Sequence, residues 1–177
     1  MLHKMKISRL LVGILFITLL GCKSEKELPT VPQVDLEQYQ GTWYEIARLP
    51  NSFEKGLDCT TANYTIKENG KISVVNKGRK VKNGKWDEAR ANAWIPNKEK
   101  PGELKVSFFW PFAGDYYIME LDDNYQFVLV GSPSRDYLWI LARNKTLEDS
   151  IYNMLTETAR IHGFNVGNLE RINQDCN

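Results

Sequence analysis

Turn signals recur at short intervals from residue 41 onward, and little more than a chain of short strands fits between them. Asn69-Gly70, Asn83-Gly84, Pro101-Gly102, Gly114-Asp115, Asp122-Asp123-Asn124 and Ser132-Pro133-Ser134 break up segments rich in β-branched and aromatic residues. Strands are expected at Trp43–Leu49, Ala62–Ile66, Ile72–Asn76, Trp86–Ile95, Leu104–Trp110, Tyr116–Leu121, Phe127–Val130 and Tyr137–Leu141, with one longer connection over Pro50–Asp58. No helical period competes in this stretch. Consecutive strands joined by tight turns make an antiparallel meander, and eight such strands close into an up-and-down barrel wide enough for one small ligand. Helical spacing emerges once, in Leu147, Ile151, Met154, Leu155, Thr158 and Ala159. Thr146 with Asp149 looks like a capping box and Gly163 like a stop, so a C-terminal helix is expected to pack outside the barrel. A last short strand is expected near Asn168–Ile172, leading to Cys176.

The beginning of the chain reads differently. Residues 1–9 are basic, and Leu10–Leu20 is an uncharged apolar run. As a helix that run rises only about 16 Å, against the roughly 30 Å of a membrane core, so a cleaved signal fits better than a span. Leu19-Leu20-Gly21-Cys22 resembles the lipobox of bacterial lipoproteins, which implies a lipid on Cys22 and removal of residues 1–21; an ordinary signal peptide is the alternative. Lys23–Pro32 is polar and proline-bearing, and residues 22–34 read as a tether ahead of a single domain over 35–177. Lys23 after the lipidated cysteine lacks the aspartate that retains many lipoproteins in the inner membrane, so the outer membrane is favoured.

Composition narrows the function classes. The chain has 23 bases and 22 acids; without Lys4, Lys6 and Arg9 of the leader, 20 bases face 22 acids, too few for a sequence-independent nucleic-acid binder. With His3 in the leader, only His162 is left, which removes most histidine-based catalysis and most zinc sites. No metal and no cofactor is expected. Cys59 and Cys176 form an even pair in an exported chain, which invites a disulfide. Two free buried thiols are the alternative, disfavoured because Cys176 is penultimate. Closing so long a loop is worth about 4–5 kcal/mol on chain-entropy grounds.

Gly41-Thr42-Trp43-Tyr44, preceded by Asp35-Leu36-Glu37-Gln38-Tyr39, together with Arg135-Asp136-Tyr137 and Arg143, resembles in order and spacing the signatures of the lipocalins. Trp43–Arg48, Lys105–Phe109 and Asp136–Leu141 resemble the bacterial outer-membrane lipoprotein lipocalins, and Cys59 with Cys176 matches in position one of the disulfides of the similar apolipoprotein D. The resemblance implies that Trp43 closes one end of the barrel against the Arg143 guanidinium, with Gly41 letting the chain turn beneath it; these three are fold markers and not ligand contacts.

Ligand contacts must come from inward positions, which alternate along a strand. Ala62 and Tyr64, Ile72, Val74 and Asn76, Leu104, Val106 and Phe108, and Tyr137, Trp139 and Leu141 share faces in this way. The resemblance to apolipoprotein D places Tyr64, Asn76, Phe108 and Trp139 in the lumen, and parity alone adds Tyr117. Each of these has the alternative of being a core side chain. The implied function is a membrane-anchored carrier of fatty acids or lysophospholipids in envelope maintenance, with Lys80, Lys82 or Arg90 near the open end as candidates for a headgroup. The other readings are a lipocalin-fold enzyme such as an isomerase and a purely structural or interaction module. Catalysis is not expected, since Glu45 and Glu120 lack partners and Cys59 is committed to Cys176. An interaction module would need an exposed apolar patch, which no sequence displays. The oligomeric state is open, a homodimer included.

Overall fold

The computed structural model describes residues 27–176. The expected signal peptide and the lipidation site at Cys22 lie outside those residues.

One turn of helix, α1 (Leu36–Tyr39), precedes strands β1 (Gly41–Arg48), β2 (Leu57–Ile66), β3 (Ile72–Lys80), β4 (Trp86–Trp94), β5 (Glu103–Phe109), β6 (Phe112–Leu121), β7 (Phe127–Gly131) and β8 (Leu138–Ala142). Helix α2 (Asp149–Ile161), a 3-10 turn (Val166–Asn168) and a two-residue strand β9 (Glu170–Arg171) follow. Neighbouring strands pair antiparallel in chain order from β2 to β8; β8 pairs β1, and β1 pairs back to β2. The meander is therefore a closed eight-stranded barrel, with β9 added outside on β1 at Ala47 and Arg48.

Two cores follow from the alternation. Trp43, Tyr64, Val74, Leu104, Ile118, Val128, Val130 and Leu141 pack inside the barrel. Ile46, Leu129, Leu138, Ile140 and Ala142 pack outward against Leu155, Ala159 and Phe164 of the C-terminal segment. The helix thus buries the outer faces of β7 and β8, which is why those strands are apolar on both parities.

Several expectations shift. β2 begins at Leu57 and β3 runs to Lys80: the two strands go on pairing past the apolar segments, with the buried Asp58 held by Arg79 at 2.9 Å. Gly114-Asp115 lies within β6; the hairpin turns instead at Trp110-Pro111, a cis peptide. The capping box at Thr146 does not form: the residue before α2 is Glu148, without a side-chain cap bond, and Asp149 holds Arg171 at 2.9 Å. Met154, expected on the packed stripe, is 48% exposed, while Gly163 ends the helix region at φ +87°. The one-turn α1, capped by the Asp35 carboxylate on the Glu37 and Gln38 amides, was not anticipated. Residues 27–34, expected as tether, are docked. Leu28 is 2% exposed in the outer core, and the Val31 amide donates to the Ile118 carbonyl at 2.9 Å.

β1 and β2 pair only over Gly41–Tyr44 and then diverge. The C-terminal segment fills the seam. Gln174, buried, donates from Nε2 to the carbonyls of Glu45 (2.7 Å) and Thr60 (2.9 Å), and the Cys59 amide donates to the Asn173 carbonyl at 2.8 Å. The Cys59–Cys176 disulfide, with Cα atoms 6.2 Å apart, secures that segment.

Candidate ligand cavity

Antiparallel order sends the connections after β1, β3, β5 and β7 to one end of the barrel, and those after β2, β4 and β6 to the other. The second end is shut. Trp43 is fully buried there, its Nε1 donating to the Tyr39 carbonyl at 2.9 Å and its ring lying 3.9 Å under the Arg143 guanidinium carbon. Arg143 also donates to the carbonyls of Gln38 (2.6 Å), Thr42 (3.0 Å) and Tyr125 (3.2 Å), so one side chain holds three segments together. Gly41 passes beneath at φ +89°, a conformation that favours glycine.

Above this plug the barrel encloses a cavity of about 410 Å³, within the range of small-molecule sites. Its floor is a chain of tyrosine hydroxyls: Tyr116 meets Tyr39 at 2.7 Å and Tyr64 at 2.9 Å. Burial holds all three phenols above their ordinary range, so they remain neutral. Ala62, Val74, Val106 and Leu141 make the walls. At the mouth, Phe53, Tyr137 and Trp139 form a ring cluster, with Tyr137 stacked on Trp139 at 6.0 Å.

Tyr64, Asn76, Phe108 and Trp139, the four positions taken from the resemblance, line this one cavity. Tyr117 does not. A register shift between Ile118 and Glu120 breaks the alternation along β6, so Tyr116 and Ile118 face inward and Tyr117 packs against the outer core. Counting by twos from the inward Leu121 crosses that bulge and lands on the wrong face.

The lining also holds groups that the sequence reading missed. Glu45, Glu54 and Asp115 line the cavity, and no Lys, Arg or His does so among the described residues. Glu45 is not without a partner, as the sequence suggested: its Oε1 accepts from Arg48 Nη1 at 2.8 Å, both side chains being buried. Its parity with Trp43 was the available signal. Glu54 comes from the connection after β1 and accepts from Trp139 Nε1 (3.0 Å) and Asn51 Nδ2 (2.6 Å). Of the expected headgroup bases, Lys80 is paired with Asp87 and Arg90 with Glu88.

Burial, reinforced by Glu54 and opposed by Arg48, pushes the Glu45 carboxyl up to about 8 from its ordinary 4.5. The folded state therefore keeps a proton that the unfolded chain releases. The stability this contributes is complete below pH 4.5 and is lost as pH rises through 8, by up to about 1.4 kcal/mol per pH unit. Urea midpoints across that window should fall for the native protein and stay flatter in Glu45→Gln; equal slopes would remove Glu45 as the titrating group.

Eight antiparallel strands, one end sealed by a tryptophan–arginine stack and the other open on an apolar cavity, define a small-ligand-binding barrel. The chain belongs to the lipocalin family: residues 34–174 match the family described as "Lipocalin-like domain". It is 41% identical over 160 residues to the Outer membrane lipoprotein Blc of Vibrio cholerae, covering 89% of this chain and 94% of that one. It is 37% identical over 139 residues to the Apolipoprotein D of Macaca fascicularis, covering 72% of each. Among solved structures it shares its fold with insecticyanin from the tobacco hornworm Manduca sexta, at a TM-score of 0.67 and 21% identity, covering 84% of this chain and 85% of that one.

Proposed function

We propose that this chain is a lipid-anchored carrier of the cell envelope, held to the outer membrane through Cys22, that stores or transports a single-chain amphiphile such as a fatty acid or a lysophospholipid. The observation that carries the reading is the apolar cavity of about 410 Å³, sealed below and open above. Burying an acyl chain there gains about 25 cal/mol per Å² of apolar surface. No Lys, Arg or His lines the cavity among the described residues, so an anionic head finds no counter-charge inside; the tail enters first and the head stays at the mouth, in water. The lipoprotein name of the Vibrio cholerae relative supports the anchor and the location. Catalysis is not part of the proposal: Glu45 is engaged by Arg48, and Glu54 by Trp139 and Asn51.

Titration with palmitate, and separately with a palmitoyl lysophospholipid, should change Trp139 emission, because its ring forms part of the mouth. Trp139→Phe should lose most of the change, while Trp43, sealed under Arg143, contributes little. A full response in Trp139→Phe would place the ligand elsewhere.

A further inference from the structure

The open end carries an aromatic surface that the cavity does not use. Beyond Phe108 at the mouth, the β5–β6 hairpin presents Phe109, Trp110 and Phe112 at 80%, 83% and 78% exposure. β4 pairs β5 only over Lys105–Ser107, so the hairpin tip has no strand beside it on that side. At the same end, Val81 and Trp86 of the β3–β4 hairpin are also exposed, as is Phe53 of the cavity mouth. A monomer rarely leaves so much aromatic surface in water without a partner.

The charges around this rim indicate what that partner is. Lys55, Lys82 and Lys85, in the connections after β1 and β3, are exposed and make no ion pair within 4 Å among the described residues. Asp87, Glu88 and Asp115 nearby are each held by a base, which leaves the three lysines on the rim against Asp136 and against Glu54, which lines the cavity. Exposed Trp and Phe surrounded by lysines suit a bilayer interface, where rings sit among the upper acyl segments and ammonium groups meet phosphates. The route of the chain points the same way. Glu27, paired with Lys100 ahead of β5 at 2.9 Å, and Leu28 share a cleft that reaches Pro133 and Arg135 of the open-end connection after β7. Cys22 precedes Glu27 by five residues, a contour of at most about 18 Å. A lipid on Cys22 therefore holds this side of the barrel close to the membrane.

We propose that the open end docks on an anionic bilayer surface, with Phe109, Trp110 and Phe112 inserted and Lys55, Lys82 and Lys85 at the phosphates. The mouth then opens onto lipid, and an amphiphile enters the cavity without crossing bulk water. This rests on the anchored-carrier reading above.

The test uses the lipidated protein on vesicles of phosphatidylcholine and phosphatidylglycerol, with acyl chains either plain or brominated. Flotation reads the anchor, and bromine quenching reads the rim. The protein should float, and brominated chains should quench most of the emission that is missing in Trp110→Phe. A Phe109→Ser/Trp110→Ser variant should still float but lose that quenching and load vesicle-borne lysophospholipid more slowly. Flotation without Trp110 quenching overturns the docking and leaves the anchor standing; neither flotation nor quenching overturns both. Trp110 shielded from acrylamide in vesicle-free protein of twice the chain mass would assign the surface to a second copy and overturn the proposal.

Discussion

Trp43→Ala is expected to destabilise the protein by about 3–5 kcal/mol, the cost of deleting a fully buried large aromatic. That is a large share of the roughly 5–15 kcal/mol that holds a domain folded. The loss has identifiable parts. The ring packs on Tyr39 at 5.1 Å, its Nε1 bonds the Tyr39 carbonyl, and its face carries the Arg143 guanidinium. Removing it opens the closed end directly below the tyrosine floor. Arg143→Ala loses the same stack and also leaves the Gln38, Thr42 and Tyr125 carbonyls without their donor. Because the stack is counted in both single variants, the double variant should lose less than their sum, by about 0.5–2 kcal/mol. Urea unfolding of the four proteins measures this coupling, and strictly additive losses would mean that the stack contributes nothing.

Cys59→Ser should cost a comparable 4–5 kcal/mol, because the bridge closes a loop spanning 117 positions. The effect should also be local. The C-terminal segment stands in for the missing β1–β2 pairing, with Gln174 bonded across the seam. Without the bridge, amides around Cys59 and Ile172 should exchange sooner than those of β7 and β8, which lie between the two cores. Cys176→Ser should match Cys59→Ser in stability. Uniform exchange throughout the barrel would contradict the seam's dependence on the bridge.

The strand pattern, the barrel, the outer helix and the disulfide were legible because each has a local or compositional sign. Alternation alone puts Ala62 and Tyr64, Val74 and Asn76, Val106 and Phe108 on common faces, and all six line the cavity. Tyr117 shows where that logic stops: a bulge shifts parity without any residue that announces it. Glu54 reaches the cavity from a connection, where no period applies. Leu28, a single apolar residue in a polar stretch, carries no pattern, yet it is buried because the chain folds back over Gly102 and Ile118. The exposed aromatic hairpin was read as strand, since Phe and Trp suit strands whichever way they face.

The central claim is that the barrel carries an amphiphile in its lumen, and native mass spectrometry of the Cys22→Ser protein, purified from the soluble fraction without detergent, reads this directly. The account predicts a population one lipid heavier than the chain itself, with the added mass released on unfolding. Ala62→Phe, which places a ring inside the lining, should lose that population while keeping a cooperative melting transition. A native chain that carries nothing, or a lipid retained in full by the filled variant, would contradict it.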